Sequence, residues 1–159
     1  MIVSIARESP RQTEIVGLVE ELDTYLGSLY PAESNHLLDV DSLAQPDVRF
    51  LVARRDGEAL GCIALRVDAE NWGEVKRLYV SPRARGLGLG RRLLEALEAQ
   101  ARQERLALLR LETGVHQPEA LGLFRAAGFR EIPAFGAYAP DPLSVFMEKA
   151  LPVADRSAD

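Results

Sequence analysis

Residues 80–92, Val80-Ser81-Pro82-Arg83-Ala84-Arg85-Gly86-Leu87-Gly88-Leu89-Gly90-Arg91-Arg92, decide how this chain is read. The β-rich run Glu74-Val75-Lys76-Arg77-Leu78-Tyr79-Val80 leads into them, and an apolar stripe at helical spacing, Leu89, Leu93, Leu97 and Ala101, leads away. The segment is a strand-to-helix turn with glycine at every second position. Glycine carries no Cβ and adopts positive φ without steric cost, so successive N–H groups can converge on one point. That point lies at the positive end of the following helix, which makes the turn suited to a phosphate. It is not a P-loop, which ends in Gly-Lys-Ser/Thr. Nor is it a dinucleotide fingerprint, which follows the first strand of a parallel βαβ unit.

Working upstream, residues 49–54 and 59–67 are β-rich runs around Asp56-Gly57, a two-residue hairpin signal, and residues 73–80 follow a second turn near 68–71. Three consecutive antiparallel strands therefore precede the glycine turn. Residues 2–6 read as a short strand. Residues 13–26 read as a helix with Ile15, Val16, Val19, Leu22 and Leu26 at helical spacing, and Tyr30-Pro31 ends it in a loop or short helix. Downstream, residues 106–113 are strand-like, Pro118 opens a helix, and Gly128 stands where a left-handed C-terminal cap is needed. Residues 129–132 and 145–149 are closing strands. The expected class is α/β, a mixed, mostly antiparallel sheet flanked by helices on both faces, in the order βα(α)βββαβαββ. One domain over residues 1–151 and a polar tail over 152–159 are expected.

Composition narrows the chemistry. The 159 residues are 47% hydrophobic and 27% charged, an ordinary globular balance that excludes a disordered or disulfide-stapled chain. Cys62 is the single cysteine, and it stands in an apolar strand where it reads as core. His36 and His116 are too far apart for a zinc pattern, so no metal is expected. A net charge of −5 argues against nucleic acid as a partner, and the absence of a long apolar run argues against a membrane one, so a cytoplasmic location is expected. Charge is uneven along the chain. Residues 1–50 carry nine acidic side chains against three basic, whereas residues 75–92 carry six basic and none acidic, so a small cationic amine drawn to the N-terminal third is the expected acceptor, with solvation of the first helix as the competing explanation of those acids.

The pattern Arg/Gln-x-x-Gly-x-Gly/Ala is matched by Arg85-Gly86-Leu87-Gly88-Leu89-Gly90. With the strand before it, the long helix after it and the later run ending Ala127-Gly128-Phe129, the chain resembles the GNAT N-acetyltransferase superfamily over nearly its whole length. The resemblance implies acetyl-CoA as cofactor. Its pyrophosphate would meet the backbone N–H groups of Arg85, Gly86, Leu87, Gly88, Leu89 and Gly90, its pantetheine arm the main chain of Leu78, Tyr79 and Val80, and Arg91 and Phe124 would flank it. Arg85 is the side chain expected to add a charge-assisted contact.

Acetyl transfer needs a neutral amine, so a base or a water relay must remove a proton before attack on the thioester. Glu74 is the leading candidate, in the strand before the turn; pairing with Lys76 or Arg77 is its alternative employment. Glu112 and His116 are the alternates. The resemblance also implies a tyrosine that protonates the departing thiolate, in a pattern Leu-Tyr-x-x-x-Gly-Phe. Here the run is Leu123-Phe124-Arg125-Ala126-Ala127-Gly128-Phe129, with phenylalanine at that position, which leaves Tyr79 or Tyr138 as substitutes. A thiol pKa of about 8.5 lets a thiolate leave without a dedicated acid. Tyr30, Glu33, His36 and Glu112 are expected to bind the acceptor. The expected function is acetyl transfer to a primary amine of a small molecule by direct attack, with a homodimer as a possible assembly. A protein or peptide N-acetyltransferase and a non-catalytic acyl-CoA sensor are the alternatives.

Overall fold

The computed structural model describes residues 2–34 and 39–152. Among the described residues, seven strands form one sheet in the order β1-β2-β3-β4-β5-β7-β6. They are β1 (Val3–Arg7), β2 (Val48–Arg55), β3 (Glu58–Val67), β4 (Trp72–Val80), β5 (Leu108–Gly114), β6 (Arg130–Ile132) and β7 (Ser144–Ala150). Every pairing is antiparallel except β4 with β5, as expected of a mixed, mostly antiparallel sheet. The helices are α1 (Thr13–Leu29), the single turn α2 (Val40–Leu43), α3 (Leu89–Gln103) and α4 (Pro118–Ala126).

The helices cover both faces. Leu93, Leu94, Leu97 and Ala101 of α3 and Leu121 and Phe124 of α4 pack on Leu51, Ile63, Leu65, Val75, Leu109, Leu111 and Met147. Ile15, Leu18 and Val19 of α1 pack on the other face, against Phe50, Val52, Cys62 and Ala64. Alternation along each strand puts neighbouring residues into opposite layers. Full burial of each of these leucines, isoleucines and valines is worth about 1.5–3 kcal/mol. Leu18 takes a buried place on α1 beside Ile15, Val19, Leu22 and Leu26, whereas Val16 is only partly covered.

Local sequence accounts for the turns. Asp56 and Gly57 both have positive φ, 51° and 89°, the geometry of the tight hairpin that joins β2 to β3. At the end of α4, Gly128 (φ 99°) donates its N–H to the Arg125 carbonyl and Phe129 donates to the Phe124 carbonyl. Those two bonds make a Schellman cap, and the Phe124 and Phe129 rings, 5.6 Å apart and edge to face, supply its hydrophobic contact. Gly128-Phe129 is thus a helix stop that also fixes the Phe124 ring.

Candidate active site

The site begins with a failure of pairing. β4 and β5 are in register from Trp72 with Leu108 to Val75 with Leu111, and there the ladder ends, although β4 runs on to Val80 and β5 to Gly114. A bulge in β4 opens the gap. Cys62 lies opposite Tyr79 but Ala64 lies opposite Lys76, so β4 carries one extra residue, and Arg77 is left-handed (φ 59°). The Arg77 guanidinium is buried and paired with Asp23 of α1. Its carbonyl accepts from the Cys62 thiol at 3.3 Å.

Between the parted strands lies a cavity of about 90 Å³. Glu74, Lys76 and Leu78 of β4 line one wall, Glu112 and Gly114 of β5 the other, Phe124 the helix side, and Leu26, Tyr30, Ser34, Tyr138 and Leu143 the roof. The roof has two halves, the end of α1 with the short 3₁₀ turn Ala32–Ser34 and the loop 133–143. Ser34 Oγ donates to Asp141 at 2.8 Å and joins them.

An ionic cluster sits in this wall. Glu74 is 3% exposed. Its Oε1 accepts from Arg66 at 3.1 Å, and its Oε2 accepts from Tyr138 at 2.5 Å and from Lys76 at 3.3 Å. Lys76 Nζ also donates to Tyr138 Oη at 2.7 Å. The Arg66 and Arg110 guanidiniums lie over the Trp72 ring at 5.6 and 5.0 Å, and Phe135, Tyr138 and Phe146 pack edge to face beside it. These aromatics pin the loop 133–143 to the sheet and bring Tyr138 onto Glu74. Burial, and after it the Glu74 charge, pushes the Tyr138 phenol up, so its proton is held.

Tyr30 closes the far end. Its hydroxyl donates to Gln117 Oε1 at 3.1 Å and accepts the His116 N–H at 3.0 Å, and its ring stacks on His116. A Cβ on Gly114 would lie 1.8 Å from the Tyr30 hydroxyl oxygen, so only glycine lets the ring cross the end of β5. Gly114→Ala is expected to evict Tyr30 at a cost of about 1–3 kcal/mol, read as a lowered Tm in thermal denaturation.

The glycine turn adopts the expected left-handed backbone. Gly86 and Gly88 have φ of 84° and 67°, and a Cβ on either would point into open space, so conformation rather than room demands glycine at both. Gly88 is the N-cap of α3 and has no side chain to cap it. The first ladder bond joins the Arg92 N–H to the Gly88 carbonyl, so the N–H groups of Leu89, Gly90 and Arg91 precede it. The first turn has no acidic residue and carries Arg91 and Arg92, the reverse of what the helix dipole favours without an anion. An extended ligand with a phosphate at one end fits both features, the cradle at Gly86–Gly90 and the main-chain edge of β4 that β5 leaves unpaired from Lys76 to Val80.

Several anticipated residues stand elsewhere. Tyr79 donates its hydroxyl to Glu21 of α1 at 3.2 Å and is not among the cavity-lining residues. Glu33 is exposed and also outside that lining, and Arg85 pairs with Glu119 at the surface. The Val80 side chain packs into the core beneath α3, while its main chain, the part expected to meet the ligand, lies beyond the last β4–β5 pair. His36 lies outside the described residues. Cys62 is fully buried, and burial pushes its thiol up to about 12, so it stays a protonated core residue. Sequence reasoning missed Arg66 and treated Lys76 only as a partner for Glu74. Their one local signal is strand parity, which sets Arg66, Glu74 and Lys76 on the same sheet face.

Residues 15–129 match the Acetyltransferase (GNAT) family. An IAA acetyltransferase of Azospirillum brasilense is 59% identical over 150 residues, covering 94% of this chain and 98% of its own. The crystal structure of an acyl-CoA N-acyltransferase from Klebsiella pneumoniae is 41% identical with a TM-score of 0.81, over 94% of this chain and 98% of that one. The PaiA N-acetyltransferase of Thermoplasma acidophilum, crystallised with coenzyme A, is 20% identical with a TM-score of 0.73, over 95% and 100% of the two chains, and shares the fold. With a parted β4–β5 edge, a glycine cradle at the head of α3 and these relatives, the chain belongs to the GNAT acetyltransferase family, enzymes that take their acetyl group from acetyl-CoA.

Proposed function

We propose that this enzyme acetylates the primary amine of a small molecule by direct attack, without an acetyl-enzyme intermediate. The observation that carries the reading is the roof. The Ser34–Asp141 bond and the Tyr138 contacts with Glu74 and Lys76 close the cleft above the parted strands, which suits a compact acceptor better than a polypeptide. The name of the Azospirillum relative supports a small acceptor. The one buried cysteine, held as a thiol, supports direct attack.

Acetyl-CoA supplies the acetyl group as a thioester. Gly86 to Gly90 and the α3 N-terminus would hold its pyrophosphate, the main chain of Leu78 to Val80 its pantetheine arm, and Phe124 the wall beside it. Glu112 takes the proton of the attacking amine. Glu74, the first candidate from sequence, already accepts from Arg66, Lys76 and Tyr138, three of about four acceptor sites on a carboxylate, so work as a base would compete with its hold on that cluster. It serves instead as the anion that fixes Lys76 and Tyr138. Tyr138 is the hydroxyl assigned to the departing thiolate: its O–H must turn from Glu74 to reach the sulfur, and with that proton tightly held it only eases a departure the thiolate can make unaided.

Thiol release from acetyl-CoA, followed across a panel of primary amines and a panel of peptides, tests this reading. Turnover confined to small amines is the expected result. Turnover confined to peptides, or CoA binding without turnover of any acceptor, would overturn it. Tyr138→Phe is expected to lower kcat about tenfold and no further, because a thiolate can leave unaided.

A further inference from the structure

The first residues beyond the last β4–β5 pair are Lys76 and Glu112. Because Val75 lies opposite Leu111 in a parallel register, these two occupy the next matched positions on the same sheet face, on opposite walls of the widening cleft. One wall offers an ammonium, the other a carboxylate. Among the described residues, Lys76 Nζ donates to Glu74 Oε2 and Tyr138 Oη, which uses two of its three N–H groups. Its side chain is 11% exposed, and the cavity is what it borders. A confined ammonium with an N–H to spare calls for an oxyanion.

The acidic N-terminal third makes no comparable claim on a cationic acceptor. Glu14 pairs with Arg54, Asp23 with Arg77 and Asp41 with Arg11, Glu21 accepts from Tyr79, and Glu33 faces solvent. Of these acids, Glu14, Asp23 and Asp41 are paired with the protein's own arginines, Glu21 is engaged by a tyrosine, and Glu33 is outside the cavity lining.

We infer that the acceptor carries a carboxylate close to its amine, as an amino acid does, and that Lys76 is the residue that selects it. The carboxylate accepts from Lys76 on the β4 wall while the amine lies towards Glu112 on the β5 wall. Glu74 and Tyr138 hold the ammonium in place, so Lys76 is pre-organised for this contact. The inference rests on the small-amine reading above and deepens it.

Matched acceptors decide it: amino acids, each beside the amine obtained by removing its carboxylate, assayed by thiol release. The wild-type enzyme should favour the carboxylate-bearing member at least tenfold in kcat/KM, through KM. Lys76→Met should reduce that ratio tenfold or more, and Lys76→Arg should restore part of it. A wild-type preference for the decarboxylated amines, or a Lys76→Met loss equal on both members of each pair, would overturn the assignment. Binding separates this from the parent reading. Calorimetry of CoA-loaded enzyme with a carboxylic acid lacking an amine, 3-phenylpropanoate, should give a Kd that Lys76→Met weakens tenfold. If no small amine is turned over, the parent reading fails, and this titration alone still decides whether Lys76 holds a carboxylate: an unchanged Kd or no binding refutes it.

Discussion

Glu112→Gln should lower kcat by about 10²–10⁴-fold while leaving CoA affinity and Tm near their original values, the range expected when a positioned general base is lost. The substitution keeps the size of the side chain and an oxygen able to accept from Ser144 Oγ, 2.8 Å away in the parent protein. The side chain loses its charge and its capacity to take a proton. Glu74→Gln supplies the contrast. An amide there turns an N–H₂ towards Arg66 or Lys76 and leaves these partly buried cations short of an anion, a loss between the roughly 0–1 kcal/mol of an exposed pair and the about 3–5 kcal/mol of a buried one. Its signature is a lower Tm, with kcat reduced less than in Glu112→Gln. The reverse pattern, a collapsed kcat and a normal Tm in Glu74→Gln with Glu112→Gln near wild type, would make Glu74 the base.

That contrast also marks where sequence reading stops. The hairpin at Asp56-Gly57, the stripe of α3 and the stop at Gly128-Phe129 were legible because each is set by residues within one or two turns of the chain. The cleft is different in kind. It exists because β4 bulges at Arg77, and nothing around Arg77 in sequence asks for a left-handed arginine. Asp23, 54 positions away, holds it there. Tyr138 reaches Glu74 across 64 positions only because Phe135 and Phe146 seat its loop against Trp72. Tyr30 was legible as a site residue, but its fit against a bare Gly114 was not. Counting acids cannot reveal that arginines elsewhere, such as Arg54 with Glu8 and Glu14, have claimed them.

Gly88→Trp should abolish CoA binding measured by calorimetry while the far-UV dichroism stays native. Gly88 is the N-cap of α3 with φ 67°, and a Cβ built there meets nothing within 4 Å, so a side chain projects outward into the space before the helix N-terminus. That is where the N–H groups of Leu89, Gly90 and Arg91 converge and where a pyrophosphate would sit. Two effects act together in the variant: the left-handed backbone costs a side-chain-bearing residue about 1–2 kcal/mol, and the indole fills the cradle. Gly88→Asn separates them, since asparagine tolerates the left-handed region and is small. If obstruction dominates, Gly88→Asn retains measurable affinity and Gly88→Trp retains none. If both variants bind CoA like the parent, the phosphates lie elsewhere, and the glycine spacing at 86, 88 and 90 is only the shape of a turn. The cradle reading also requires salt sensitivity. Arg91, in the first helical turn, and Arg83 and Arg85, just before the cradle, lie at its rim with exposed ion-pair partners, so CoA affinity of the parent should fall as ionic strength rises, over a screening length of about 8 Å at physiological salt. Gly88→Asn should keep that salt dependence, because it changes the backbone of the cradle and leaves every arginine where it was.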